Sequence, residues 1–596
     1  MFTTRPEVRG TFGVVTSTHW IASQVGMSML EKGGNAFDAA VAAGFTLQVV
    51  EPHLCGPAGE VPIIFHSAAT GRTEVLAGQG PAPAAASIEA FRALGLESVP
   101  GSGLIAAVVP GSFGAWLTLL RDHGRLRLAD VLSPAIGYLE NGHPLLAGVS
   151  RALDELKEAF TTEWPTSAPI WLPGGEAPVA GKLFRNPILA ATYRRILAEA
   201  GDGSREQQIE RALGAWYEGF VAEAIGRFAH AQPLMDASGR SHKGFLTADD
   251  MAGWRPGYEA PTTFDYHGWT LCKTGPWGQG PVLLQALSLL KGFDVASLDP
   301  CGADFIHLVL EAAKLAFADR EAYYGDPNFV DVPLEALLSE AYAAERRTLI
   351  GEAASHEIRP GLLPGFADQA ARALGMVKPA SDVAGGLGVG EPTMAHLKPT
   401  IKPGDTVHLD VIDGEGNMVS ATPSGGWPQS SPTIPELGFA LNTRAQMFWL
   451  EEGLPGSLAP GKRPRTTLTP TLALHEGRPT LVCGTPGGDQ QDQWQLALLL
   501  RRIHHKLPLQ QIIDQPLFHT AHFPSSFYPR EALPGVSVVE ESVGEKVITE
   551  LKRRGHDLQI APAWSAGRLT AAERDAEGVL SAAATPRLMQ AYAVGR

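Results

Sequence analysis

The chemistry of this chain turns on a single threonine. Thr406 follows Gly404-Asp405 at the head of GDTVHLDVIDGEGNMVSATPSGG, residues 404–426, where Val407, Leu409 and Val411 alternate with His408, Asp410 and Ile412. That period of two predicts a half-buried strand. Asp413-Gly414-Glu415-Gly416-Asn417 then reads as a hairpin turn leading to a second strand at residues 418–421. A hydroxyl held against the carbonyl carbon of the preceding residue can attack it and convert the peptide bond to an ester. Hydrolysis of that ester would cleave the chain between Asp405 and Thr406 and leave a new N-terminus, with its α-amine, at Thr406. With an ordinary pKa of about 7.7–8, this amine can act as general base for its own hydroxyl, the pairing used by N-terminal nucleophiles. Threonine is common in strands for packing reasons alone, so position is not enough. The rest of the chain must supply the partners.

The stretch GTPGGD, residues 484–489, offers one of them. Two adjacent glycines after a strand, Gly487 and Gly488, leave backbone N–H groups able to converge on one spot, which suits an oxyanion hole for acyl transfer. A tight turn would have the same composition. Other signals fail on spacing. Ser288 and Lys291 form an SxxK pattern, but Lys273-Thr274-Gly275 precedes it, whereas penicillin-binding enzymes place KTG far downstream, and Ser288 falls inside an amphipathic helix. His504-His505 and His519 with His522 lack a third ligand at fitting spacing. His53, beside a glycine-containing loop, reads more simply as a hydrogen-bonding loop residue than as a catalytic one. No GxSxG, Walker or dinucleotide fingerprint occurs.

The elements that must position Thr406 are legible on either side of it. Residues 20–32 predict a helix closed by Gly33-Gly34, and Asn35 can cap a second helix over 36–50, rich in small residues. Strands are expected at 61–65, at 104–109, and at 264–274 with a phase slip at Gly268. Helices are expected at 282–291 and 305–324. Residues 352–403, rich in Gly, Pro and Ala, read as a mobile linker feeding the strand that Thr406 opens. Strands at 471–474 and 479–483 and a helix at 493–504 follow.

Composition bounds the rest. The 596 residues are 44% hydrophobic and 19% charged, ample for a globular core. A net charge of −15 argues against nucleic acid as partner. No apolar run has spanning length, and the N-terminus has no basic region followed by an apolar one. Cys55, Cys272, Cys301 and Cys483 are scattered without a CxxC, so neither a disulfide framework nor a zinc site is expected, and a cytoplasmic protein without metal or organic cofactor is the default.

Taken in order, GMSMLEKGGNAFDAAVAAGFTLQVVEPH, GPWGQGPVLLQALSLLKGFD, EAAKLAFADREAYYGDPNFVDVP, GDTVHLDVIDGEGNMVSAT, KRPRTTLTPT and GTPGGDQQ resemble the γ-glutamyltransferase (γ-glutamyltranspeptidase) family of N-terminal nucleophile hydrolases over nearly the whole chain. The resemblance implies an α+β fold, a four-layer αββα sandwich. It implies self-cleavage into a large chain, 1–405, and a small chain, 406–596, which stay together around one shared core; further self-association is left open. By the same resemblance Thr406 is the nucleophile, Ser424 the supporting hydroxyl, and Gly487 and Gly488 the oxyanion hole.

The departures bear on substrate. Where the family holds the donor carboxylate with an arginine this chain has Gln79, and where it holds the donor amine with an acidic pair this chain has Gln446-Met447. Gly426 replaces an asparagine, and Thr466 and Thr467 replace two serines. Losing both charged anchors removes the charge-assisted bonds worth most in recognising a zwitterion. The pattern is closer to cephalosporin acylase-like and oxamate amidohydrolase-like members, with Arg444 and Arg465 as candidate contacts for an anionic acyl group. The expectation is a small-molecule amide substrate, cleaved by water or, less readily, by transfer to an amine. The alternatives are an ordinary glutathione hydrolase and an uncleaved, non-catalytic binding protein.

Overall fold

The computed structural model describes residues 2–380 and 406–596. Asp405 and residues 381–403 of the expected linker lie outside the described residues. Within the remainder of that linker, Ala367–Gly375 is a helix that buries Ala370 and Ala373.

Two seven-stranded antiparallel sheets lie face to face. Their strands, in chain order, are β1 (Val8–Gly10), β2 (Gly13–Ser17), β3 (Val61–Ser67), β4 (Arg72–Gly78), β5 (Gly257–Glu259), β6 (Thr262–Tyr266), β7 (Trp269–Lys273), β8 (Leu409–Asp413), β9 (Met418–Ala421), β10 (Thr471–His475), β11 (Arg478–Gly484), β12 (Thr570–Arg574), β13 (Leu580–Ala584) and β14 (Tyr592–Gly595). The first sheet has the order β14-β2-β8-β9-β3-β4-β5 and the second β1-β13-β12-β11-β10-β7-β6. Helices α1 (Trp20–Glu31) and α2 (Ala36–Val50) pack on the outer face of the first sheet, and α3 (Pro281–Leu290), α4 (Ala303–Tyr323) and α5 (Gln491–Ile503) on the outer face of the second. This is the expected αββα sandwich.

Three apolar layers follow from that stacking. Leu409 and Val411 of β8 face α2, while Ile412 and Met418 meet Leu472 and Val482 between the sheets. β8 is therefore buried on both faces rather than half-buried, because a second sheet covers the side that alternation had assigned to solvent. Its polar residues His408 and Asp410 are fully buried and need partners there. Helix α2 is capped as its sequence suggests, with Asn35 Oδ1 accepting from the N–H groups of Phe37 and Asp38. It is buried along its whole length.

Two expectations are corrected. Residues 264–274 are a hairpin, not one strand with a slip: His267 (φ 47°) and Gly268 (φ 81°) make the two-residue turn between β6 and β7. Residues 104–109 form a short 3₁₀ turn at Leu104–Ala106 and no strand. The backbone of Val108 is met by a side chain instead, since Asn442 accepts from Val108 N and donates to Val108 O. Among the described residues no helix is long and apolar enough to cross a membrane.

Candidate active site

Thr406 lies three residues ahead of β8, wholly buried, bridged to Ser424 across the β8–β9 hairpin. Val407 N donates to Pro423 O at 3.0 Å, which fixes the register. At that register Thr406 Oγ1 donates to Ser424 Oγ at 3.2 Å. Ser424 is held in turn by Glu60, whose backbone N and O both bond to it at 3.0 Å. The glycines of LCGPAGE permit this closeness: a Cβ on Gly59 would lie 2.0 Å from Ser424 O, and one on Gly56 2.2 Å from Gly426 O. The structure thus brings the predicted nucleophile and its supporting hydroxyl together.

Arg444 completes the cluster. Its Nη2 donates to Ser424 Oγ at 2.6 Å, and its Nε to the Glu60 carboxylate. Burial pushes the Glu60 carboxyl up to about 7 even though Arg444 opposes the shift. The Arg444 guanidinium lies 5.3 Å from the Trp427 ring centre, and Asn442 Oδ1 holds its backbone N at 3.3 Å.

The glycine loop approaches from the second sheet. Gly487 (φ 130°) and Gly488 (φ 57°) follow β11, and a Cβ on Gly487 would lie 2.2 Å from the Trp494 ring of α5. Arg568, which sequence reasoning missed, links the loop to the nucleophile. Its backbone N donates to Thr485 Oγ1 at 2.9 Å and its Nη2 to the Thr406 carbonyl at 3.0 Å. Asp489 anchors the far side of the loop by accepting from Ser526 Oγ at 2.6 Å and from Arg320. Nothing local in the sequence marks Arg568. Glu60 had a signal, as a lone acid closing a run of glycine and small residues.

The expected substrate contacts are more dispersed. Gln79 is buried at the end of β4, its Nε2 turned to Gly80 O at 3.4 Å and its Oε1 without a hydrogen-bond partner. Gln446 is engaged by the framework: Nε2 donates to Gly101 O and Thr443 Oγ1, and Oε1 accepts from Tyr528 N. Met447 is buried, with its carbonyl accepting from Arg530 at 2.7 Å. Arg465 sits in an ion cluster, bonded to Glu321 at 2.6 Å. Thr466 N donates to Trp277 O and its Oγ1 accepts from Leu468 N, while Thr467 Oγ1 is buried without a hydrogen-bond partner.

The rejected motifs stay rejected. Ser288 is buried within α3, and Lys273 is held by Asp492, Thr471 and Thr469. His53 is half-buried, and desolvation of its ring together with the charge of Arg568 lowers it to about 3. Among the described residues one group, His307, Glu311 and His556, has metal-like spacing. Its donors are already engaged: the two imidazoles bond each other at 2.9 Å, and Lys314 donates to Glu311 at 2.7 Å.

A family model described as gamma-glutamyltranspeptidase matches residues 22–595. The glutathione hydrolase-like YwrD proenzyme of Bacillus subtilis is 31% identical over 97% of this chain and 98% of its own. The solved structure of LmbA2991HD is similar at 54% identity and a TM-score of 0.91, with 100% of both chains covered. The crystal structure of cephalosporin acylase from Bacillus halodurans is similar at 29% identity and a TM-score of 0.82, covering 100% of this chain and 98% of that one.

Proposed function

This chain belongs to the gamma-glutamyltranspeptidase family, and from that membership we propose that it is a self-processing enzyme that cleaves amide bonds through a Thr406 acyl-enzyme, with an acyl donor other than a γ-glutamyl zwitterion. The observation that carries the reading is the hydroxyl of Thr406 on Ser424 Oγ, itself held by Arg444.

In the precursor the Thr406 hydroxyl attacks the carbonyl carbon of Asp405. As the ester forms, the peptide C–N bond breaks and frees the Thr406 α-amine; water then opens the ester, giving the Asp405 carboxylate and restoring the Thr406 hydroxyl. The two products stay together for a physical reason: β8 pairs with β2, β9 with β3, and β10 with β7, so both sheets are built from both sides of the cut. In turnover the Thr406 oxygen adds to the substrate carbonyl while its own amine takes the proton. The Gly487 and Gly488 amides stabilise the oxyanion. The amine returns the proton to the departing nitrogen, leaving an ester that water opens. Transfer to an amine is the lesser route.

The neutral residues Gln79, Gln446 and Met447 support a donor without the ammonium–carboxylate pair of a glutamyl group. Arg465 spends its charge on Glu321 and Arg444 on Glu60, and of the two Arg444 is the one that bonds the nucleophile cluster, at Ser424. We place the enzyme in the cytoplasm, consistent with four unpaired cysteines.

Denaturing electrophoresis with N-terminal sequencing tests the processing, and two bands with Thr at the start of the smaller one are expected. A panel of γ-glutamyl, glutaryl and oxamate-type amides tests the donor. Preferential γ-glutamyl transfer would sink the argument from Gln79 and Gln446.

A further inference from the structure

We propose that Glu60 is the positioning residue of the nucleophile: by gripping Arg444 it fixes the guanidinium that donates to Ser424 Oγ, the atom on which the Thr406 hydroxyl rests. The proposal depends on the reading of Thr406 as nucleophile and goes beyond it, since Glu60 touches neither Thr406 nor the reacting carbonyl.

The four residues form one series through the buried interior: Glu60 to Arg444, Arg444 to Ser424 at 2.6 Å, and Thr406 to Ser424 at 3.2 Å. None is more than 1% exposed. Arginine suits the middle place because its planar fork can bond an acid through one nitrogen and a hydroxyl through another, which the point charge of lysine cannot do. A guanidinium so deeply buried needs a counter-charge, and Glu60 supplies it from the same short backbone bridge that holds Ser424. The backbone makes room for the acid. Gly425 has a φ of 74°, and a Cβ there would lie 2.7 Å from Glu60 Oε2 and 2.9 Å from Oε1. With Arg444 donating to it, Ser424 Oγ turns its own hydrogen away from the guanidinium and keeps a lone pair for the Thr406 hydroxyl. That orients the attacking oxygen before any substrate arrives.

The series is sensitive to one proton. Arg444 is the charged group that faces the carboxyl, from the turn Arg444–Met447. On the loop before Glu60, the Cys55 thiol is pushed well up by burial and by the charges of Glu51 and Glu60, so it stays neutral. The Thr406 amine, once freed, adds a further titratable group to the cluster. Protonated Glu60 releases Arg444 from its ion pair, and the hold on Ser424 loosens.

The experiment is the pH profile of kcat/KM, which reports ionisations of the free enzyme, measured on glutaryl-p-nitroanilide for the wild type, Glu60→Gln and Glu60→Asp. The wild type is expected to lose activity toward acid by uptake of two protons, one on the carboxyl near 7 and one on the amine near about 7.7–8. Glu60→Gln is expected to lose about tenfold or more in kcat and to retain a one-proton limb, and Glu60→Asp to recover the second. A two-proton limb that survives in Glu60→Gln, or a kcat equal to wild type, overturns the proposal. A single limb in the wild type that Glu60→Gln abolishes supports the positioning role while removing the amine from the mechanism. Where the anilide is not turned over, or Glu60→Gln stays uncleaved, the readout moves to self-cleavage of the wild-type precursor, in which the Thr406 nitrogen is still an amide. Cleavage that slows as pH falls through about 7 supports the proposal, and cleavage flat with pH overturns it.

Discussion

The imidazole of His408 fills the space that a side chain at Gly484 would need: a Cβ there would lie 2.1 Å from the ring carbon Cε1. The strand that Thr406 opens is thereby keyed to the last residue of β11, immediately before the glycine loop. The ring is fixed at both nitrogens, Nδ1 with Thr422 Oγ1 and Nε2 with Asp410 Oδ1, each at 2.9 Å. Asp410 also accepts from Ser420 and Thr570 at 2.8 Å, which ties β8 to β9 in its own sheet and to β12 in the other.

Asp410→Asn is expected to destabilise the protein by about 2–4 kcal/mol. The substitution keeps the volume but points an amide donor at groups that were themselves donating, and a buried polar network left half-satisfied costs on that scale. Chemical denaturation at neutral pH measures it. A change below about 0.5 kcal/mol would mean that the network does not hold the two sheets in register.

Thr406→Ala is expected to remain one band on a denaturing gel and to lose activity by about 10⁴-fold or more, as removal of a covalent nucleophile does. Thr406→Ser keeps the hydroxyl and is expected to cleave, more slowly, because serine lacks the methyl group that restricts χ1. N-terminal sequencing of the smaller band reads both results. Full activity in Thr406→Ala would assign the chemistry to another residue.

A matched pair of glycines separates loop geometry from general strain. Gly487→Ala places a Cβ 2.2 Å from Trp494 at a φ of 130°, so the loop must move, and kcat is expected to fall about 10²–10³-fold, the cost of losing one oxyanion donor. Gly477→Ala has a φ of 75° in a turn with no atom within 4 Å, and is expected to cost about 1 kcal/mol of stability with kcat unchanged. Equal kcat in the two variants would remove Gly487 from the oxyanion hole.

How far the sequence reached depended on whether the signal was local. Asn35 before α2, the turn glycines after β8 and the helix expected over 282–291 all declare themselves within a few residues, and the structure has the cap, the turn and, shifted by one residue, the helix at Pro281–Leu290. The alternation around Thr406 was also legible, but only as a half-buried strand, since nothing near it announces the second sheet. Residues 104–109 looked like a strand for the same reason: the partner that satisfies Val108 is a side chain more than three hundred positions away. Arg568 and Glu60 both lie far from Thr406 in the chain; a single arginine carries no spacing by which to find it, and Glu60 showed only as a lone acid closing a run of glycine and small residues. Arg465 reads as a candidate contact for an anionic acyl group, yet its charge faces Glu321.

That cluster gives a pH dependence with a definite sign. Burial alone would raise Glu321, but Arg465, Arg320 and Arg530 outweigh it and hold the carboxyl at about 2. A depressed carboxyl contributes stability that is fully present above its unfolded value, about 4.3–4.5, and is lost as pH falls toward the folded value. The two values differ enough to contribute about 3 kcal/mol at roughly 1.36 kcal/mol per unit. Urea denaturation of the wild type and Glu321→Gln at neutral pH, near pH 4.5 and near pH 2.5 is expected to show the largest difference at neutral pH, little change down to about 4.5, and convergence below it. Because Arg320 also binds Asp489, the residue after Gly488, loss of the cluster in acid should loosen the loop that faces the nucleophile. A stability difference constant across that range would show that Glu321 titrates near its ordinary value, and that the three arginines do not set its charge.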